Sequence, residues 1–192
     1  MKILIFDTET TGLIPKGCNY KEHFMEFPYL VQIAWEYEGE LKDFIIKPDG
    51  WVIPQESTEI HGISQEKAES EGQPLEIVLD LFLQDCFFAE KIVGHNMFFD
   101  TSIIKANLLR AGDQELYEIS EEVLDKSKRI DTMWKSIKLC ALKQKGSNRP
   151  KFPTLEDLYW KLFEEEFPAH DAREDVIATK RCFDELVKID IL

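Results

Sequence analysis

Asp7 and Glu9 stand two residues apart at the end of an apolar run, Ile3-Leu4-Ile5-Phe6. Residues 2–7 read as a β-strand with apolar side chains on both faces, hence a central one. Residues two apart in a strand point to the same side, so two carboxylates leave a buried strand together. Like charges that close repel, and burial raises the cost of each. Two more acids fall on faces that should be buried. A helix over 98–111 carries Ile103, Ile104 and Leu108 as its apolar stripe, and Asp100 shares that stripe by its spacing. A helix over 171–188 carries Ala172, Val176, Thr179, Phe183 and Leu186, with Asp175 among them. One such acid is ordinarily a cap or half of an ion pair, and Asp100 near a helix N-terminus has that ordinary explanation to hand. Several acids with no basic residue on the same stripes need a cation or a proton. Oxygen-only donors suit Mg²⁺ or Mn²⁺ rather than zinc. Four carboxylates can hold two such ions, the arrangement that clamps an in-line displacement at phosphorus.

Other elements have to place these acids. The runs 30–37 and 41–46 flank Glu38-Gly39-Glu40 and read as a hairpin. Residues 75–88 read as a helix, 91–94 as a short buried strand, and 131–142 as a helix. Thr154 reads as the cap of a helix that begins at Leu155. The stretch 113–129 fits no single period. Hairpin strands followed by alternating helix and strand give an α/β chain with a mixed sheet and helices packed on it.

With 192 residues, one domain over 1–192 is expected, long enough to bury a core. Apolar residues make up 44% and charged residues 31%, the composition of a water-soluble globular protein. No apolar run is long enough to span a membrane, and the N-terminal run is too short for a signal peptide, so a cytoplasmic protein without a membrane partner is expected. Cys18, Cys86, Cys140 and Cys182 lie far apart with no CxxC pair, which argues against a zinc knuckle and against disulfides. Net charge is −14, so the overall field repels a polyanion. The charge is uneven: from Lys126 to Lys151 there are nine Lys or Arg and one acid. Within this basic island Lys143, Lys145, Arg149 and Lys151 are candidates for contact with a phosphate backbone, against the plainer reading of a solvated loop.

The stretches "FDTETTGL" (6–13), "GHNMFFD" (94–100) and "HDAREDV" (170–176) resemble, in order, the three motifs of the DEDDh 3′–5′ exonucleases. That group includes the DnaQ-like proofreading epsilon subunit of bacterial DNA polymerase III, ribonuclease T and the TREX enzymes. "LVQIAW" (30–35) and "STEIHGIS" (57–64) also resemble the epsilon-like branch. The resemblance spans nearly the whole chain, and the four acids and the histidine all match. It implies a ribonuclease H-like fold with a five-stranded mixed sheet. It implies Asp7, Glu9, Asp100 and Asp175 as ligands of two Mg²⁺ or Mn²⁺ ions and His170 as general base. It further implies that Thr10 and Leu13 contact the terminal nucleotide and that His61 approaches the 3′ end.

The chemistry agrees, since phosphodiester hydrolysis needs an activated water and a neutralised phosphate, and histidine titrates near neutral pH. Taken alone His170 reads as a surface imidazole after Pro168-Ala169; its role rests on the resemblance. His95 reads as structural. Phe98 and Phe99 read as packing residues, Phe99 the better candidate for lining the pocket, and Phe24 or Phe27 could stack on a base. The expected substrate is the 3′ end of a single strand, DNA before RNA, released as nucleoside 5′-monophosphates. The competing class is a non-catalytic subunit that docks on a DNA polymerase; the intact acids count against it, as does the lack of a tether-like segment after Leu192.

Overall fold

The computed structural model describes residues 1–192. Five strands form one mixed sheet in the order β3-β2-β1-β4-β5: β1 (Ile3–Thr10), β2 (Leu30–Tyr37), β3 (Glu40–Ile45), β4 (Lys91–Gly94) and β5 (Arg129–Asp131). β1 runs antiparallel to β2 and parallel to β4, and β4 runs parallel to β5. Nine helices accompany it: α1 (Tyr20–His23), α2 (Gln55–His61), α3 (Gln65–Glu71), α4 (Leu75–Phe88), α5 (Met97–Ala111), α6 (Gln114–Val123), α7 (Thr132–Cys140), α8 (Leu155–Phe163) and α9 (Ala172–Lys188). This is the five-stranded mixed sheet expected of a ribonuclease H-like chain.

The two-sided apolar pattern of β1 has a direct structural cause. Leu4 and Phe6 face the larger core, against Val78, Leu79 and Phe82 of α4 and Ile103 and Ile104 of α5. Ile5 faces the other side, where Ala34 and Val93 meet Ala172, Val176 and Phe183 of α9. A third apolar cluster packs Leu155, Leu158 and Tyr159 of α8 against Ala178, Cys182 and Leu186 of α9. α9 therefore lies between the sheet and the α7–α8 pair, and its first turn points at the end of β1. The β2–β3 hairpin closes on Glu38 and Gly39, both at positive φ, which suits the right-handed twist of the strands. Thr154 caps α8 in a reciprocal capping box with Asp157. The four cysteines are free thiols, two of them buried. No helix is long and apolar enough to cross a membrane.

Several expectations need correction. β1 continues past Asp7 to Thr10, because β2 extends the ladder through Glu9↔Gln32 and Thr10↔Leu30. β5 was not expected: three residues, two of them charged, carry no readable period, and the strand forms because β4 offers it a parallel edge. The helix expected over 131–142 is therefore shorter, with Asp131 as its cap. α2, α3 and α6 occupy stretches that gave no clear helical signal. Phe98, expected to pack, is 63% exposed.

Candidate active site

The site begins where β4 stops. β4 pairs with β1 only through Ile3, Leu4 and Ile5, so the side of β1 beyond Ile5 is left to other elements. Gly94 ends β4 in a tight turn: a Cβ there would meet Met97 Cγ at 3.0 Å and the Phe6 carbonyl at 3.4 Å, so the Met97 side chain would have to give way. The chain enters α5 through Asn96, at φ 73°, and the first turn of α5 carries Asp100 to β1. There Thr8 Oγ1 donates to Asp100 Oδ1 at 2.6 Å. Thr8 was not foreseen as part of the site; it lies between the two acids of "DTE" on the opposite face of the strand. Asp7 and Glu9 are half-buried, open enough for a ligand to reach.

The other wall is the start of α9. Asp171 caps the helix, accepting from the Arg173 and Glu174 amides. Gln32 of β2 anchors it, its Oε1 accepting from the Ala172 amide at 3.2 Å. Asp175 is buried; its Oδ2 accepts from the His170 amide at 3.2 Å, and its Oδ1 is buried without a partner. That amide bond holds His170 in the left-handed region at φ 68°, a conformation that costs an L-residue about 1–2 kcal/mol. Donor atoms of Glu9, His170 and Asp175 all lie within 4.8 Å of one another. The His170 ring is exposed and its Nε2 stands 3.6 Å from Glu156 Oε1 on α8. Neither Asp7 nor Asp100 belongs to that three-residue group, but their charges reach it.

Electrostatics show how crowded the acids are. Burial, then the charges of Asp100, Asp175 and Glu9, hold the Asp7 carboxyl well above the usual carboxylate range. Burial and the Asp175 and Asp100 charges push Glu9 up to about 8. Burial raises Asp100 to about 7 against the opposing pull of the Thr8 hydrogen bond. Asp175 likewise rises to about 7, chiefly by burial. None of the four acids has a Lys or Arg partner; the ion pairs of the structure lie elsewhere. An oxygen-rich cluster with a buried, unpartnered carboxylate oxygen fits a hard divalent cation.

A pH dependence follows for metal-free protein. Each carboxyl binds its proton more tightly folded than unfolded, so its stabilising contribution is complete at acid pH. It is lost as pH rises from the ordinary carboxylate range, near 4, to about 7–8. The melting temperature in chelator is expected to fall across that window, and Mg²⁺ or Mn²⁺ to reverse the fall. A flat profile in chelator would mean that the acids are not crowded as described.

The remaining predicted site residues divide. His61 is buried, and its Nδ1 accepts from the Ile63 amide at 3.1 Å, which leaves the proton on Nε2. That Nε2 has no partner, and His61 lines the same open cleft as His170 and Asp171. Leu13 projects into solvent, 85% exposed. The Thr10 hydroxyl donates to the Gly12 carbonyl at 2.7 Å and shapes the turn that carries Leu13. Phe99 is half-buried against the large core. Lys143, Lys145 and Arg149 are exposed and unpaired, whereas Lys151 is held by Asp157 at 3.0 Å. His95 is structural as expected. The Pro153 carbonyl can only accept, so Nε2–H donates to it at 3.0 Å, and Nδ1 lies 2.9 Å from the Thr132 hydroxyl, which is also 3.1 Å from the Gly94 carbonyl. Asp131 and Glu156 were missed: one is a cap, the other a contact between elements far apart in sequence.

Residues 4–183 match the exonuclease (RNase T) family. No curated protein sequence matches the chain significantly. Among solved structures, E. coli exonuclease I in complex with a dA16 oligonucleotide superposes with a TM-score of 0.68 at 22% identity, covering 97% of this chain and 43% of that one. Exonuclease I from Methylocaldum szegediense gives 0.69 at 20% identity, covering 97% and 40%. The zinc-bound form of an E. coli exonuclease I–ssDNA complex gives 0.68 at 24% identity, covering 97% and 43%. The chain thus spans less than half the length of these exonuclease I structures, and the likeness is one of fold. The family match, with four acids on β1, α5 and α9 and a histidine in the turn before α9, places the chain in the exonuclease family, as a member of its DEDDh 3′–5′ type.

Proposed function

We propose that residues 1–192 form one exonuclease unit that hydrolyses single-stranded DNA from its 3′ end and releases nucleoside 5′-monophosphates. The observation that carries this reading is the convergence of Asp7, Glu9, Asp100 and Asp175, without a basic partner, beside His170. Those four carboxylates would hold two Mg²⁺ or Mn²⁺ ions. Ions bound there would neutralise the phosphate and stabilise the attacking and leaving oxygens. The protein's own part is positional. The His170 ring takes the proton of the attacking water. Glu156, 3.6 Å from that ring, limits where it can point. Leu13, on the turn shaped by Thr10, meets the base of the terminal nucleotide, and His61 stands in the cleft wall with its Nε2–H buried and unpartnered, reaching the 3′ end only if that wall opens. Phe99 lines the pocket behind them.

DNA is favoured over RNA by the likeness of the "IHGI" stretch to proofreading relatives and by the exonuclease I structures, which hold dA16 and dT13 oligonucleotides. Docking on a polymerase would use another surface and leaves this chemistry unchanged. The test uses 3′-labelled and 5′-labelled single-stranded DNA and RNA of one sequence, with Mg²⁺ or Mn²⁺. A ladder shortening from the 3′ end, with labelled mononucleotide released first from the 3′ label, supports the reading. Endonucleolytic fragments, or no product on either polymer, would overturn it.

The basic island supplies a further expected result. Lys143, Lys145 and Arg149 are free to meet a backbone; Lys151 must first leave Asp157. Each phosphate contact on a single strand contributes about −0.7 to the slope of log affinity against log salt. Replacing Lys143, Lys145, Arg149 and Lys151 with Ser should therefore flatten that slope by about 2 for the three free cations, or about 3 with Lys151 engaged (~0.7 each), and weaken oligonucleotide binding. An unchanged slope would return the loop to ordinary solvated surface.

A further inference from the structure

We propose that the corner where α5, α7 and the 141–153 segment meet is a base-stacking platform. Trp134 and Phe152 form it with Phe98 on the same corner, and a single strand lies on it before its 3′ end enters the acidic cleft. The proposal rests on the exonuclease reading above and adds the strand's path.

Exposure is the first observation. Trp134 is 57% exposed, Phe152 44% and Phe98 63%. Scattered apolar residues on a surface need no explanation, but these three are not scattered. Trp134 and Phe152 are partners, ring centroids 4.7 Å apart and tilted 65°. One carboxylate joins the first turns that carry Trp134 and Phe98. Asp131 accepts from the Met133 and Trp134 amides on α7, and from the Asn96 and Met97 amides at the start of α5. One imidazole joins the third member. His95 bonds Thr132, the first residue of α7, and the carbonyl of Pro153, which follows Phe152. The aromatic faces are thus held by a fixed frame before any ligand arrives, which lowers the ordering cost of binding.

Charge is the second. Lys135 and Lys138 are exposed on α7, and Lys143, Lys145 and Arg149 on the adjoining loop, none of them paired with a carboxylate. That loop is folded back on itself, Gln144 and Lys151 donating to Arg149 and Leu142 at 2.9 Å each. Free cations beside exposed aromatic faces suit a chain that carries phosphates and bases in alternation. The rest of this surface is acidic and would repel the same chain.

Position is the third. Asp100 lies two residues beyond Phe98 on the same helix. On the other side Phe152-Pro153 runs into α8, whose Glu156 reaches His170. α5, which carries Phe98 on its exposed side and Asp100 on its buried side, and α8, which follows Phe152, thus tie the platform to the elements that carry the cleft.

The experiment compares wild type with Trp134→Ala, Phe152→Ala and the double variant. Binding of a dT12 oligonucleotide is measured by fluorescence anisotropy with Ca²⁺ in place of Mg²⁺. Hydrolysis is measured on the nitrophenyl ester of thymidine 5′-monophosphate, which cannot reach the platform. Each truncation is expected to weaken dT12 binding roughly 5- to 100-fold. It should leave the salt slope and ester hydrolysis at wild-type levels, and Trp134→Tyr should restore binding. On wild type alone, a 12-mer of abasic sites should bind at least about 5-fold more weakly than dT12, a result that needs no folded variant. Equal affinity of wild type and double variant for dT12, in a protein that still degrades dT12, would overturn the platform and leave the nuclease reading standing. A wild type that degrades no single strand would overturn both.

Discussion

Asp7→Ala is expected to lose at least about 10³-fold in hydrolysis of a single-stranded oligonucleotide while melting, in chelator, at or above the wild-type temperature. The two halves have one cause. Asp7 stands within β1, directly after the wholly buried Leu4, Ile5 and Phe6, so its position is fixed by the core and the β1–β2 ladder and not by its own side-chain contacts. Its carboxyl is crowded by the charges of Asp100, Asp175 and Glu9. Removing it relieves that repulsion in the metal-free protein, so folding does not suffer. The same removal takes one oxygen donor from the group that would hold the ions. Electrostatic stabilisation by bound metal is worth several kcal/mol of the barrier, and each 1.36 kcal/mol is a factor of ten in rate. Asp7→Asn keeps the volume and tests charge alone; it should resemble Asp7→Ala in rate and in melting. The wild type should be silent in chelator and recover with Mg²⁺ or Mn²⁺. Full activity in excess chelator, or an Asp7→Ala that unfolds, would refute this account of why the acids are buried together.

The sequence was informative in proportion to how local each cause was. β1, the β2–β3 hairpin, α4, β4, α5 and α9 were legible because each has its own period or its own stop signal, such as Gly39 in the hairpin and Gly112 after α5. The inward direction of Asp100 and Asp175 followed from the stripes around them. β5 was illegible because Arg129-Ile130-Asp131 becomes a strand only when β4 is present to pair with it. The exposure of Phe98 could not be read either, since a phenylalanine one turn from a buried acid looks the same in sequence whether the corner beside it is covered or open. Thr8 was hidden by the very pattern that revealed its neighbours: alternation assigns it to the opposite face, and only the arrival of α5 beyond the end of β4 brings Asp100 to its hydroxyl. His170 lay beyond helical geometry. What places it is a backbone amide bonded to Asp175 Oδ2, five residues on, in a left-handed turn that no periodicity announces.

That turn makes His170 a clean site for mutation. His170→Ala is expected to slow turnover by roughly 10²–10⁴-fold, the range that a general base contributes. The ring is exposed and its nearest charged neighbour is Glu156 at 3.6 Å, so its loss opens no cavity and the melting temperature should hardly move. His170→Gly sharpens the point. Glycine occupies φ 68° without the penalty an L-residue meets, so this variant should be at least as stable as wild type while as slow as His170→Ala. A gain in stability with a loss in rate is what a residue kept in strain for chemistry predicts. The ring also lies in the same 4.8 Å group as Glu9 and Asp175, so it could act as a metal ligand instead. The two roles separate in the metal dependence. A general base leaves the Mg²⁺ concentration for half-maximal rate nearly unchanged, and excess Mg²⁺ cannot rescue the variant. A ligand raises that concentration, and excess Mg²⁺ restores much of the rate. The pH profile is a second reading of the same question. A general base ties the rate to its own protonation, so the wild-type and His170→Ala profiles should differ in shape, whereas a merely structural ring leaves them parallel. Near-wild-type turnover of His170→Gly at neutral pH would leave the left-handed turn without a catalytic reason, and the proton of the attacking water would have to go to another acceptor.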